Sequence, residues 1–320
     1  MTFDFDNAVQ APFRMQPGLR KLASGALHLA PSAPGSRHMR EKLAVLSAHW
    51  PKALRCEPDF DPLPALQRLA AVAAREHPGH FGWDGHQATA LGVSVRDGHI
   101  VERGAGVFGH GDEVPRCLDG LPSDWRLAGL LSLAFQDDFA IVDGAQARVP
   151  WMAVALPSHW APERKQGVHF TELHAPVADG GALRTAGRHL LALVSGQDAY
   201  ERFVWTITAH PRLNAHPDHV DPAGWPAGAD AVAIGAAAWF RTERQSFLPL
   251  ADRREAVFTI RVQTQPLAAA AVPPDRAARL HDAVSTMSEA VLAYRNLAGV
   301  REPLLQWLAQ QASAETQPPA

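Results

Sequence analysis

The sequence predicts an α+β fold, antiparallel strands with flanking helices, and three observations carry that expectation. Short β-prone runs cluster with connections of only a few residues, as at residues 91–95 and 100–102 around Asp97 and Gly98, a strong hairpin signal. Helical patterns gather before and after these runs instead of alternating with them, which argues against a parallel α/β sheet. No internal repeat and no clear linker divides the 320 residues, so one domain with appended helices is the simplest architecture.

Taken in order, residues 11–35 hold several Pro and Gly with little periodicity and read as a wrapping arm. The expected organisation is an arm over residues 1–35, a single domain with C-terminal helices over 36–311, and a disordered tail over 312–320. Met39, Leu43 and Leu46 predict a helix before Pro51, and Leu66, Leu69, Val72 and Ala73 a second ending near His77; both are expected to pack over a sheet. GAGVFG, with Gly104, Gly106 and Gly109, has the letters of a dinucleotide fingerprint. The following HGDEVP reads as unable to open the helix that would hold pyrophosphate, so the segment is read as a loop. Residues 127–133 suit helix or strand, whereas 139–142 and 149–156 read as strands around DGAQA.

Leu183, Leu190, Leu191 and Val194 describe a helix ending at Gly196, and residues 203–208 are β-prone. An apolar run from Ala231 leads into WFRTERQ. Residues 256–263 alternate Phe258, Ile260 and Val262 against Thr259, Arg261 and Gln263, the pattern of a half-buried strand. Leu280, Val284, Met287, Val291 and Tyr294 predict one face of a single long helix, and Gly299 separates it from a last helix with Leu304, Leu305 and Leu308.

Composition excludes several classes. Hydrophobic residues at 47% support a substantial core, and 30 Lys and Arg against 33 Asp and Glu leave no basic excess for phosphates or an anionic membrane surface. Neither nucleic acid nor membrane is expected as a partner. No apolar run reaches the roughly 18 residues of a spanning helix, and MTFDFDNAVQ lacks the regions of a signal peptide, so a cytoplasmic location is expected. Cys56 and Cys117 are too few and too far apart for a disulfide framework or a thiolate zinc site.

The densest stretch for chemistry is LPSHWAPERKQGVHFTELHAPV, residues 156–177. Pro162 suits the start of a short helical turn, Gly167 its end, and Pro176 stops the next. His174 sits at the end of that second turn, a position suited equally to a ligand or a core histidine. Ser158 beside His159 lacks the Gly-x-Ser-x-Gly elbow of a hydrolase nucleophile and reads as a helix-capping hydroxyl. His210, His216 and His219 have no helical metal-pair spacing and, like His77, His80 and His86, read as solvated. In WFRTERQ a strand would place Arg241, Glu243 and Gln245 on one face and Arg244 on the other. Arg241 then reads equally as half of an internal ion pair with Glu243 or as an anion contact. Arg261 on the next strand is a second such contact or a solvent-facing residue.

Several segments together resemble the catalytic-subunit family of haem-dependent oxidative N-demethylases. LAFQDDFAIVD is similar to its Gln-Glu-Asp strand, LPSHWAPERKQGVHFTELHAPV to its Pro-Ser-x-Trp to Ile-His-x-Pro-Val block, RTERQSFLPL and AVFTIRVQTQPL to its Glu-Arg-Gln and Phe-Thr-Ile-Arg blocks, and YRNLAGVREPLLQWL to its closing helix. The resemblance implies a PAS-like antiparallel sheet holding haem b, with His174 as axial iron ligand and Lys165, Arg241 and Arg261 as cofactor contacts. It implies Glu243 and Gln245 as residues orienting substrate or oxygen, and oxidative N-dealkylation of a small methylated amine with release of an aldehyde. Asp137 stands where Glu is usual, Leu173 where Ile is, and Gln263 where Tyr is common, a change expected to alter the substrate pocket. Neither an Arg-x-Cys-x-Gly loop nor Cys-x-x-Cys-His occurs, against thiolate-ligated or covalent haem. The chain offers no flavin, nicotinamide or iron-sulfur site, so electrons are expected from a separate NAD(P)H-dependent flavin/iron-sulfur reductase or ferredoxin-type subunit. The alternative expectation is a non-catalytic PAS-like haem or small-ligand sensor.

Overall fold

The computed structural model describes residues 3–106, 108–175, 177–181, 185–221 and 224–313. Its strands are β1 (Arg20–Lys21), β2 (Leu54–Cys56), β3 (Gly82–Trp83), β4 (Gln87–Ala90), β5 (Val93–Arg96), β6 (His99–Arg103), β7 (Asp138–Asp143), β8 (Arg148–Ala153), β9 (Tyr200–Thr208), β10 (Trp239–Leu250) and β11 (Glu255–Pro266). They form a seven-stranded sheet in the order β1-β9-β10-β11-β7-β8-β2 and a four-stranded sheet in the order β3-β4-β5-β6. Every pairing between these strands is antiparallel, as short connections allow, and the fold is α+β. The β5–β6 hairpin turns at Asp97 and Gly98, both with positive φ (48° and 74°), the conformation that two-residue hairpins need.

The helices flank the large sheet unequally. In the arm, α1 (Phe5–Ala8) follows an Asp4 cap. Next come α2 (Arg37–Ala53) and α3 (Leu63–Glu76). As expected, α3 packs over the sheet: Leu66 and Leu69 join a core with Leu248, Leu250 and Val257. Helix α2 instead runs along the edge of β11 beyond the point where β7 begins. There His38 donates to the Val262 carbonyl (2.7 Å) and Arg37 to Thr264 (3.0 Å), which covers edge groups that would otherwise be open. The buried Lys42 of α2 donates to the carbonyls of Phe135 and Asp137 and pairs with Asp138 at 3.1 Å.

Two of the expected elements change here, and one left open between helix and strand is decided. HGDEVP does open a helix, α4 (Glu113–Asp119), because the Glu113 carboxylate folds back onto the amides of His110 and Gly111 (2.6 and 3.1 Å). That carboxylate occupies the place an anion would take, so the loop reading of GAGVFG stands on a different reason. Residues 127–133 fall within a helix, α5 (Arg126–Ala134). β11 is buried on both faces rather than half-buried, because Thr259 and Arg261 are as enclosed as Ile260 and Val262.

Beyond β8 lie α6 (Phe170–Leu173), α7 (Gly187–Val194), α8 (Ala231–Ala237) and α9 (Leu267–Ala270). Leu183, expected in the helix that is α7, lies outside the described residues, as does Pro176. The predicted long C-terminal helix is two, α10 (Pro274–Ser285) and α11 (Glu289–Tyr294). Thr286 ends the first by donating to the Asp282 carbonyl, and Ser288 caps the second by accepting from Val291 N–H. The last helix, α12 (Arg301–Ser313), runs past the expected start of the tail, the rest of which lies outside the described residues. These C-terminal helices and α1 cover Trp205, Ile207 and Phe240 on the same sheet face as α3. Among the described residues the opposite face is met by Trp160, Phe170, Leu173, Leu191 and Val194 and, through Arg241, by Arg212 and Leu213 of the loop after β9.

Candidate functional site

Strand register decides which side chains share that opposite face. Across β9, β10 and β11, Arg202 pairs with Gln245 and Ile260, Val204 with Glu243 and Val262, and Thr206 with Arg241 and Thr264. Directly paired residues project to one side. Trp160 and Leu173 pack with Ala140, Met152 and Val154 on this face, and Phe170 packs with Leu191, Val194 and Phe247. Glu243, Gln245 and Arg202 thus stand on the sheet face that the segment carrying His174 covers, and this covered face is called the His174 chamber below.

The cover is held at several points. Phe170 N–H donates to the Ala147 carbonyl (2.7 Å) and Gly167 N–H to the Val149 carbonyl (2.9 Å). His169 caps α6 through Nδ1, and Lys165 Nζ donates to the Leu173 carbonyl at 3.1 Å. Gly187 permits the close approach of α7, since a Cβ there would lie 2.6 Å from the Phe170 ring.

His174 follows α6 directly. Its Nδ1–H donates to the Phe170 carbonyl at 2.8 Å and its ring lies 4.1 Å from the Phe170 ring. A carbonyl can only accept, so Nδ1 carries the proton and Nε2 has its lone pair free. Among the described residues nothing bonds that Nε2. Burial lowers the His174 pKa to about 4, with Arg202 and Lys165 adding to the effect and the Phe170 bond opposing it. The ring is a neutral imidazole with a fixed tautomer, the form that ligates a metal.

On the facing wall Glu243 accepts from Ser158 Oγ at one oxygen and from Gln245 Nε2 (2.6 Å) at the other. Ser158 is therefore not the helix-capping hydroxyl its sequence position suggests: it bridges Glu243 and Arg241, whose Nε donates to Ser158 Oγ at 2.8 Å. Arg241 is 1% exposed and donates also to the carbonyls of Arg212 (2.8 Å), Leu213 (2.8 Å) and Pro157 (3.2 Å). Its fork ties the cover to the loop after β9, and these protein partners take up donors that the family resemblance assigns to the cofactor. Desolvation lowers its pKa to about 10, Glu243 opposing.

Arg261 is corrected more sharply. It pairs in register with Arg244, on the other face, where Asp137 and Glu201 are its acidic neighbours. At 3% exposure it is neither solvent-facing nor in the His174 chamber. Gln263, opposite Thr242, also belongs to that other face, so the missing phenol does not alter this wall. Sequence reasoning missed Arg202. Its Nε is buried without a hydrogen-bond partner among the described residues, burial lowers its pKa, and Glu243 is the charge that opposes this.

The histidines read as solvated are mostly occupied. His159 and His210 lie Nε2 to Nε2 at 3.0 Å, and desolvation followed by Arg241 lowers their pKa values to about 3 and about 4. One proton serves both nitrogens of such a contact. His216 is buried, with Nε2 at 3.1 Å from Glu163 and Nδ1 accepting from Asp218 N–H. Glu163, His216 and Asp218 form a group compact enough for a cation, but Lys52 already pairs with Asp218 at 2.5 Å. His77 and His80 donate to the carbonyls of Leu29 and Ala134.

This set of side chains fits a haem: a neutral imidazole with a free Nε2, two nearby cations in Lys165 and Arg202, a buried guanidinium N–H left unpaired, and apolar walls from Met152, Trp160, Leu173 and Phe258. Fold and site together define an α+β protein with a neutral histidine over a sheet face that carries a buried arginine and a carboxylate. Over residues 37–305 the chain matches the family model described as haem-dependent oxidative N-demethylase, alpha subunit-like, and it belongs to that family. Among the described residues no helix is long and apolar enough to cross a membrane.

Proposed function

We propose that this protein is a haem-binding monooxygenase subunit that oxidatively N-dealkylates a small methylated amine, with His174 as the residue that would hold the iron of haem b against a PAS-like sheet. The free, neutral Nε2 of His174 carries the reading. Lys165 and Arg202 are the cations on hand for the propionates. Haem supplies oxygen activation when bound. The reaction takes one O2, two electrons and two protons; it leaves a hydroxyl on the N-methyl carbon and one water, and the carbinolamine collapses to the dealkylated amine and formaldehyde. No step uses a redox group of the chain itself, so the electrons are assigned to a separate reductase or ferredoxin-type donor.

The role of the chain is orientation. Ser158 and Gln245 each hold one oxygen of Glu243, which fixes the carboxylate while leaving lone pairs to accept from an ammonium N–H. Val204 and Val262, its cross-strand neighbours, are the apolar side chains that would meet the methyl groups.

The test is formaldehyde release by the haem-loaded protein supplied with a surrogate reductase, oxygen and a panel of methylated amines. Oxygen-dependent formaldehyde, equimolar with dealkylated amine and reduced at least tenfold by Glu243→Gln, is the expected result. Stoichiometric haem without product would contradict it and favour a haem sensor.

A further inference from the structure

A concavity lies elsewhere in the fold, and none of Arg202, Glu243, Gln245 and His174 lines it. It is a groove of about 580 Å³ between the start of α3 and the four-stranded sheet, lined by residues 58–63, Leu66, Gln67, Trp83, His86, Val95, Asp97, Gly98, Ser123, Asp124 and Leu127. Phe60, Leu66, Trp83, Val95 and Leu127 supply apolar wall, and Leu63 at the rim leaves half of its surface in water (50%). That volume is within the range of small-ligand sites.

The charged residues that line it have one sign, with Arg253 the outlying cation that Asp61 acts on. Asp59, Asp61, Asp97 and Asp124 all line it, and no Lys or Arg does. Among the described residues none of the four is in an ion pair. Asp61 accepts from Leu63 N–H (3.0 Å) and Asp124 from Ser123 Oγ (3.1 Å), each through Oδ1, so the second oxygen of each is uncommitted. A carboxylate rim above aromatic and aliphatic walls favours a cation with hydrocarbon attached: the charge gains Coulomb attraction and cation–π contact, and the hydrocarbon leaves water. The same rim disfavours anions.

The wall is also preformed. Gly98 presses against Ser123 so closely that a Cβ on Gly98 would lie 2.8 Å from the Ser123 carbonyl oxygen. Arg126 fastens the turn from behind by donating to the carbonyls of Gly98 (2.9 Å) and Leu118 (3.1 Å). Little ordering entropy is then lost on binding.

We propose that this groove binds a small organic ammonium ion carrying an apolar arm, independently of haem and of the His174 chamber. The test is calorimetric titration of the full-length protein with benzyltrimethylammonium chloride, benzyl alcohol and phenylacetate. Saturable one-to-one binding of the cation is expected, with benzyl alcohol at least tenfold weaker and phenylacetate without measurable heat. Asp59→Asn/Asp97→Asn should weaken the cation about tenfold; both sites are exposed and Asn tolerates the positive φ at Asp97. Glu243→Gln, in the other chamber, should leave the affinity unchanged. Equal affinity for benzyl alcohol, no effect of the double variant, dependence on Glu243, or no binding at tens of millimolar would each overturn the proposal. None of these outcomes depends on whether the protein turns over an amine.

Discussion

Arg241 and Ser158 are joined by a 2.8 Å hydrogen bond from Nε to Oγ, and this contact fixes the position of the chamber's cover relative to its sheet wall. The remaining donors of the same guanidinium hold three backbone carbonyls on two separate loops. Arg241→Ala leaves those buried acceptors unsatisfied, and we expect a loss of about 3 kcal/mol or more in urea unfolding. Arg241→Lys should recover little of it, since one ammonium cannot reproduce the planar fork.

Ser158→Ala separates positioning from folding. It removes one of two donors to Glu243 and leaves Arg241 Nε unpaired, at an expected cost of about 1–2 kcal/mol in thermal or urea unfolding. Amine turnover should fall about tenfold while haem uptake stays the same.

The cations of the two sheet faces give opposite expectations. Arg202→Met should weaken haem affinity about tenfold, the scale of one charge-assisted hydrogen bond. Arg261→Met, across the sheet beside Asp137, should lower stability and leave haem affinity alone. Soret titrations of both variants check this, and a haem effect from Arg261 alone would reverse the assignment of faces.

Stability should fall on acidification. Burial depresses the pKa values of His28, His174 and His210 to about 4 and of His159 to about 3, all below the ordinary 6.5. Between these limits the unfolded chain binds protons that the folded chain does not, so stability is intact above about pH 6.5 and is lost as pH falls toward about 4. Unfolding midpoints measured across that window should decline steadily.

Much of this could be read from the sequence because the signals were local. The Asp97-Gly98 hairpin, the helix of Leu66 and Leu69, and the placement of Arg241, Glu243 and Gln245 on one face of a strand all follow from spacing. The failures were questions of tertiary partners. Nothing near Arg261 in the chain says that both faces of β11 are covered, and nothing near Ser158 says that Glu243 lies beside it. Arg202 was invisible because its meaning comes from facing Gln245 across a strand pair. The split between α10 and α11 was legible in part: Thr286 and Ser288 are a stop and a cap set within an otherwise helical period.

The central claim is that His174 Nε2 ligates haem iron. Hemin titration of the full-length protein and of His174→Gly, followed by ferrous and ferrous-CO spectra with and without added imidazole, tests it most directly. We expect one-to-one haem uptake with a histidine-ligated spectrum in the unmodified protein, its loss in His174→Gly, and its return with imidazole. An unchanged spectrum in His174→Gly, or no specific haem uptake by the unmodified chain, would contradict the claim.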